Sequence, residues 1–202
     1  MLCFACATPH NVAAAFIYKV IAEYKMVIIH NISFALFIIF ILIAARSDAK
    51  TLRIPNWISL FLLVNFIVAG VSSGMSMENL LVGLGVGFAA LVVGFVLFSL
   101  RLFGGGDAKL YAAISLWMGW PLVAYYSIGV MLLGGAVALL AVALRKGIGL
   151  WPDWVIKIAP GMFEKNKSVP YGLAIVAGAM AVMPRMTLLP EGWIDALRLV
   201  VL

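Results

Sequence analysis

The feature that most limits what this chain can fold into is the length of its apolar runs. Val27–Ala45, Leu80–Leu100 and Leu110–Leu144 contain no Asp, Glu, Lys or Arg. About 20 such residues, wound as a helix, cross the roughly 30 Å hydrocarbon core of a bilayer. The whole chain is 65% hydrophobic and 11% charged, with a mean hydropathy of +1.15. A soluble domain is nearer half apolar and a quarter charged, and no soluble fold of this size hides so much apolar surface. Strands that cross a bilayer alternate in polarity, whereas these runs are continuous. Lipid offers no partner to a bare backbone, so the spans must be helical. The expected fold is all-α, a polytopic integral membrane protein with about six transmembrane helices.

Three regions follow from the polarity pattern. Residues 1–25 form a mixed segment with Lys19, Glu23 and Lys25; it lacks the early basic region and sustained apolar core of a secretory signal. Met26 directly precedes the first strong run, so residues 1–25 are expected to be an extension from a mis-assigned start. Residues 26–189 form the membrane domain, and residues 190–202 an interfacial tail. Within the domain the first span is Val27–Ala45, followed by a polar hinge, Arg46–Asn56. The second is Trp57–Val71, and the third, Leu80–Leu100, carries Gly83, Gly85, Gly87 and Gly94, which let helices approach closely. Gly119-Trp120-Pro121 breaks the next run, because proline removes a backbone donor and clashes with the preceding turn. That leaves a short fourth span, Leu110–Met118, whose leading loop is expected to be buried in protein, and a fifth, Leu122–Leu144. Arg145–Val169 is polar, with Trp151, Trp154 and Phe163 suited to the interface. The sixth span, Pro170–Leu189, is interrupted by Pro184 and Arg185.

The net charge of +6 marks orientation rather than nucleic-acid binding, since the cations are scattered in ones and twos. Arg46, Lys50 and Arg53 fall in the first loop, Arg101 and Lys109 in the third, and Arg145, Lys146, Lys157, Lys165 and Lys167 in the fifth. The second and fourth loops, Ser72–Asn79 and Gly119–Pro121, hold none. The positive-inside rule makes the odd loops cytoplasmic, which puts Asp48 and Asp107 on one side. Cys3 and Cys6, even with His10, fall short of the four ligands of a structural zinc. No metal or cofactor is expected.

Of eight acidic residues, Asp48 and Asp107 alone lie within a few residues of a span end on that face. A charge at the centre of a membrane helix costs roughly 2.5–3.5 kcal/mol on the gentlest insertion scale, less toward the edge, and acids retained in or beside spans usually carry function. Two carboxylates in a poorly hydrated site share one proton. The ionised member can then activate a water while the protonated one polarises a peptide carbonyl. Gly104, Gly105 and Gly106, before Asp107, would admit an extended substrate backbone. The plain alternative is an ordinary turn with Asp107 capping the next helix, and for Asp48 a solvated charge between Arg46 and Lys50.

GGGD at Gly104–Asp107 resembles the G-x-G-D motif of polytopic aspartyl proteases. SDAKTLRIPN at Ser47–Asn56 is similar to the segment around the first catalytic aspartate of bacterial type IV prepilin peptidases, an aspartate followed shortly by I-P-N. Lys109 fits that family's G-x-G-D-x-K pattern, and VPYG at Val169–Gly172 resembles its later proline-aromatic-glycine element. The resemblance implies an aspartic endopeptidase of the bacterial inner membrane. It would cleave the leaders of type IV prepilin-like precursors at the cytoplasmic face, with Asp48 and Asp107 as catalytic pair. Gly104, Gly105, Gly106, Lys109, Pro55 and Asn56 would support the site. The long form's domain with two C-x-x-C pairs, and its N-methyltransferase activity, are not expected of this chain. The chain thus resembles the short, peptidase-only form of tight-adherence (Flp-type) pilus systems. Partners implied are the precursor and the bilayer, with no nucleic acid. A presenilin-like protease is disfavoured, because Ser47 stands where that group has a tyrosine. From another class, a small proton-coupled transporter or pilus-assembly scaffold would use the same acids to carry protons.

Overall fold

The computed structural model describes residues 9–146 and 169–190, together with 152, 163 and 193. Six α-helices run in order through these residues: α1 (Pro9–Thr51), α2 (Asn56–Ser72), α3 (Met77–Ser99), α4 (Gly105–Met118), α5 (Leu122–Lys146) and α6 (Tyr171–Val182). A 3-10 turn, Met183–Arg185, follows α6 where Pro184 interrupts the last apolar run. No strand occurs among the described residues. The all-α expectation holds. Three helical stretches, Ile17–Thr51 of α1, α3 and α5, are long and apolar enough to cross a membrane.

The helices are arranged around a short interior one. α4 spans only about 21 Å at 1.5 Å per residue, but it need not reach across lipid. Ten of its residues, from Asp107 to Met118, are buried under α3, α2, α6 and α5. α3 approaches α4 most closely because Gly83, Gly87 and Gly94 face it. A Cβ on Gly94 would stand 3.2 Å from the Ala108 Cα. Gly85 points away and meets nothing, so only three of those four glycines serve that contact. Two buried polar side chains bond across helices. Trp117 Nε1 donates to Leu62 O at 3.1 Å, and Asn65 Nδ2 donates to Ser33 O at 2.8 Å. Trp117 also stacks on Phe37, with centroids 4.4 Å apart, which ties α1 and α4 into the apolar core.

The polar hinge expected over Arg46–Asn56 is mostly helix. α1 continues through Thr51, and only residues 52–55 are non-helical. The hydroxyls that suggest a loop instead tie off the last turn. Thr51 Oγ1 donates to Ser47 O at 2.9 Å, and Ser47 Oγ reaches forward to Arg53 O at 2.8 Å. Leu52 then takes a left-handed φ of 53°, and its N–H returns to Asp48 O, a common helix ending. Asp48 is therefore held on a rigid element rather than a loop. At the other end, α1 begins at Pro9 and passes through Met26 without a break.

Gly105–Lys109, also expected as loop, is the first turn and a half of α4. The break after α4 lies where expected. Gly119 has φ 62°, a conformation favouring glycine, and the Trp120–Pro121 peptide is cis. The polar stretch 145–169 and the tail 190–202 lie almost wholly outside the described residues, as do Cys3 and Cys6. Within the tail, Trp193 packs edge-on against Phe34 and donates from Nε1 to Asn31 Oδ1 at 3.0 Å.

Candidate active site

Asp48 and Asp107 come from different helices to one cavity of about 690 Å³. Asp48 sits one turn from the end of α1 and is 4% exposed; Asp107 is in the first turn of α4 and is 9% exposed. Leu52, Arg53, Ile54, Phe103 and Tyr171 also line the space. Each carboxylate receives a backbone N–H. Gly172 N donates to Asp48 Oδ2 at 2.7 Å, and Gly104 N donates to the Asp107 carboxylate. The second bond is half of a capping box, with the acid three residues into the helix reaching back to the N-cap. Asp107 thus does cap its own helix, and capping leaves it facing the cavity.

The G-x-G-D spacing acquires a physical meaning here. Gly104 is the N-cap of α4, and a Cβ there would lie 2.6 Å from Asp107 Oδ2. Gly106 passes under the link between α1 and α2, where a Cβ would meet the Ile54 Cβ at 3.2 Å. Gly105, the variable position, has room: its Cβ would reach no atom closer than 3.4 Å, at the Phe98 ring.

Burial is the main reason that the Asp107 carboxyl is raised to about 7. The nearby charge of Asp48 adds to the rise, and the Gly104 N–H opposes it. Desolvation penalises the charged form, and a second carboxylate penalises it again. At neutral pH Asp107 therefore sits near the middle of its titration, able both to hold and to give up a proton.

The remaining residues of the motif region form the rim. Asn56 opens α2, and Pro55 stands at its N-cap. Lys109 Nζ donates to Asn56 Oδ1 at 3.0 Å, and both residues are exposed. The pair also borders an apolar cavity of about 730 Å³ between α2, α3 and α4. Exposed polar contacts of this kind are worth under about 1 kcal/mol. Lys109→Met is accordingly expected to leave the turnover of a cleavage assay within about fivefold of wild type.

A model of the type IV leader peptidase family matches residues 35–139, more than half of the chain and inclusive of both aspartates. The chain belongs to the type IV leader peptidase family. Neither a curated protein nor a solved structure matches it. This leader peptidase is a membrane protein, as its apolar helices require.

The family match stops before α6, yet α6 supplies two cavity features absent from the candidate residues above. They are the Gly172 N–H on Asp48 and the Tyr171 ring, whose centroid is 5.7 Å from that of Phe103. The one sequence signal for them is VPYG at Val169–Gly172. Its meaning depends on where α6 packs, and nothing local in the sequence encodes that.

Proposed function

We propose that this leader peptidase is an aspartic endopeptidase that uses Asp48 and Asp107 as its catalytic pair. It would cleave the leader of type IV prepilin-like precursors at the cytoplasmic face of the inner membrane. The observation that carries the reading is the meeting of two buried carboxylates, from α1 and α4, in one cavity. Among the residues lining that cavity they are the acids; Arg53, Arg101 and Lys109 supply positive charge around the mouth.

In the reaction, one carboxylate is ionised and the other protonated. The ionised member takes a proton from a water, which attacks the scissile carbonyl. The protonated member donates to the carbonyl oxygen as negative charge develops there. Collapse of the tetrahedral species breaks the C–N bond: the proton held by the first carboxylate passes to the leaving amine, and a hydroxyl of the diol returns its proton to the second, which restores the one-proton pair. The pair titrates as a unit, so neither role is fixed to one residue. The odd-loop cations support the cytoplasmic orientation.

The pH profile of cleavage carries the sign of this mechanism. Activity requires one proton on the pair, so it falls when both carboxyls are protonated and again when both ionise. With Asp107 raised to about 7, the alkaline limb of kcat/KM is expected in the neutral range, with activity falling as pH rises through it. Purified protein in detergent, given a prepilin-type peptide, should cut after the leader at pH 6–7. A rate that stays level to about pH 9 would remove the shared proton from the mechanism. Proton flux through proteoliposomes without peptide cleavage would instead favour a transporter.

A further inference from the structure

Helix N-termini leave their first N–H groups without partners inside the helix. In α6, Pro170 occupies the N-cap position and makes no side-chain hydrogen bond to the first turn. The acceptor for Gly172 N instead comes from Asp48, 124 residues earlier, at 2.7 Å and in a buried setting. A side chain on the same residue could not coexist with the Asp48 carboxylate where it stands. A Cβ on Gly172 would lie 2.8 Å from Asp48 Oδ2, 2.9 Å from its Cβ and 3.0 Å from its Cγ. Real Cβ atoms do not come that close to three atoms of one side chain, and Asp48 cannot swing clear without losing the bond. α6 is in turn seated on α5: Gly178 leaves no space at Val130, where a Cβ would meet the backbone N at 3.1 Å, and Tyr171 rests against Gly134.

We infer that Gly172 is a positioning residue of the peptidase. Its backbone N–H holds Asp48 Oδ2 beside the cavity, and its missing side chain leaves the space that the Asp48 side chain occupies. This rests on the reading of Asp48 as half of the catalytic pair. The first aspartate would then be oriented by a helix outside the stretch that marks the family, and the last helix would complete the site rather than merely close the bundle. Misplacing a catalytic group by about 1 Å costs on the order of 100-fold in rate. Substrate binding draws on the cavity wall, including Phe103 and Tyr171, which the substitution leaves in place.

The test compares kcat and KM for peptide cleavage by purified wild type, Asp48→Asn, Gly172→Ala and Gly178→Ala in detergent. Gly172→Ala is expected to lose about 100-fold in kcat with KM within about threefold. Gly178→Ala, a packing change on the same helix, should lower the melting temperature while keeping kcat within about fivefold. Wild-type kcat in Gly172→Ala overturns the inference, and so does an equal kcat loss in Gly178→Ala, which would assign the effect to helix seating. Normal cleavage by Asp48→Asn would overturn the catalytic pair and this inference with it, whereas a defective Asp48→Asn beside a fully active Gly172→Ala overturns this inference alone. Should Gly172→Ala prove too unstable to assay, a double-mutant cycle reads the same contact through thermal stability. The cost of Gly172→Ala should vanish in an Asp48→Gly background, where the colliding atoms are absent. An undiminished cost there overturns the inference.

Discussion

Asp48→Asn and Asp107→Asn are each expected to abolish leader cleavage, with kcat lowered by about a thousandfold or more, equivalent to roughly 4 kcal/mol in the barrier. An amide has the shape of the carboxylate but cannot take a proton from water or exchange one with its partner. The loss should therefore fall on kcat, with membrane insertion unchanged. Stability should not fall with it. Asp48 and Asp107 are 4% and 9% exposed, and ionising a buried carboxyl is unfavourable, so a neutral amide removes a cost. The amide oxygen can still accept the Gly172 or Gly104 N–H. Cleavage rates and melting temperatures of the two variants, measured side by side, check both halves. A variant that retained wild-type turnover would rule out the proposed pair. One that lost turnover only by unfolding would leave the chemistry of that residue unassigned, and Glu at the same position would then decide it.

The second large effect belongs to the glycine run, and its three positions should separate. Gly104→Ala places a Cβ 2.6 Å from Asp107 Oδ2, so the carboxylate must turn away and release the Gly104 N–H. About 100-fold of kcat should go with it. Little stability should be lost, because what moves is the free end of a side chain. Gly106→Ala presses on the Ile54 Cβ at 3.2 Å, and Ile54 belongs to the buried link between α1 and α2. The expected cost is milder, about tenfold, and shared with stability. Gly105→Ala meets only the Phe98 ring at an ordinary 3.4 Å. It should keep activity within about threefold and stabilise the first turn of α4 by up to roughly 1 kcal/mol, the helix penalty of glycine. Equal losses at all three positions would mean that the run acts as a flexible hinge rather than through two specific contacts.

Both expectations combine what a sequence carries with what it does not. The apolar runs are legible because lipid enforces them: a helix in hydrocarbon has no polar alternative. The boundaries of α2, α3 and α5 accordingly fall within a few residues of the runs that announce them. The polar stretches are harder to read, because there Ser47 and Thr51 can either open a loop or bond back along a helix. At the end of α1 they do the second. Gly105 and Gly106 mislead in the same way. Glycine disfavours helix interiors, but in the first turn of α4 that penalty is outweighed by the close fit of Gly106 to Ile54.

By itself the sequence determined an all-α membrane protein, its break at Gly119–Pro121, and two acids at membrane-edge positions with a motif around each. Those follow from hydropathy and from residue types at short spacing. Only the tertiary structure decided that α4 is the buried centre of the bundle and that Asp48 and Asp107 open into one cavity. It alone brought the N–H of Gly172 to Asp48. The physical reason is that these depend on contacts between residues far apart in the chain. The missing side chains of Gly94 and Gly172 matter only because Ala108 and Asp48 arrive beside them.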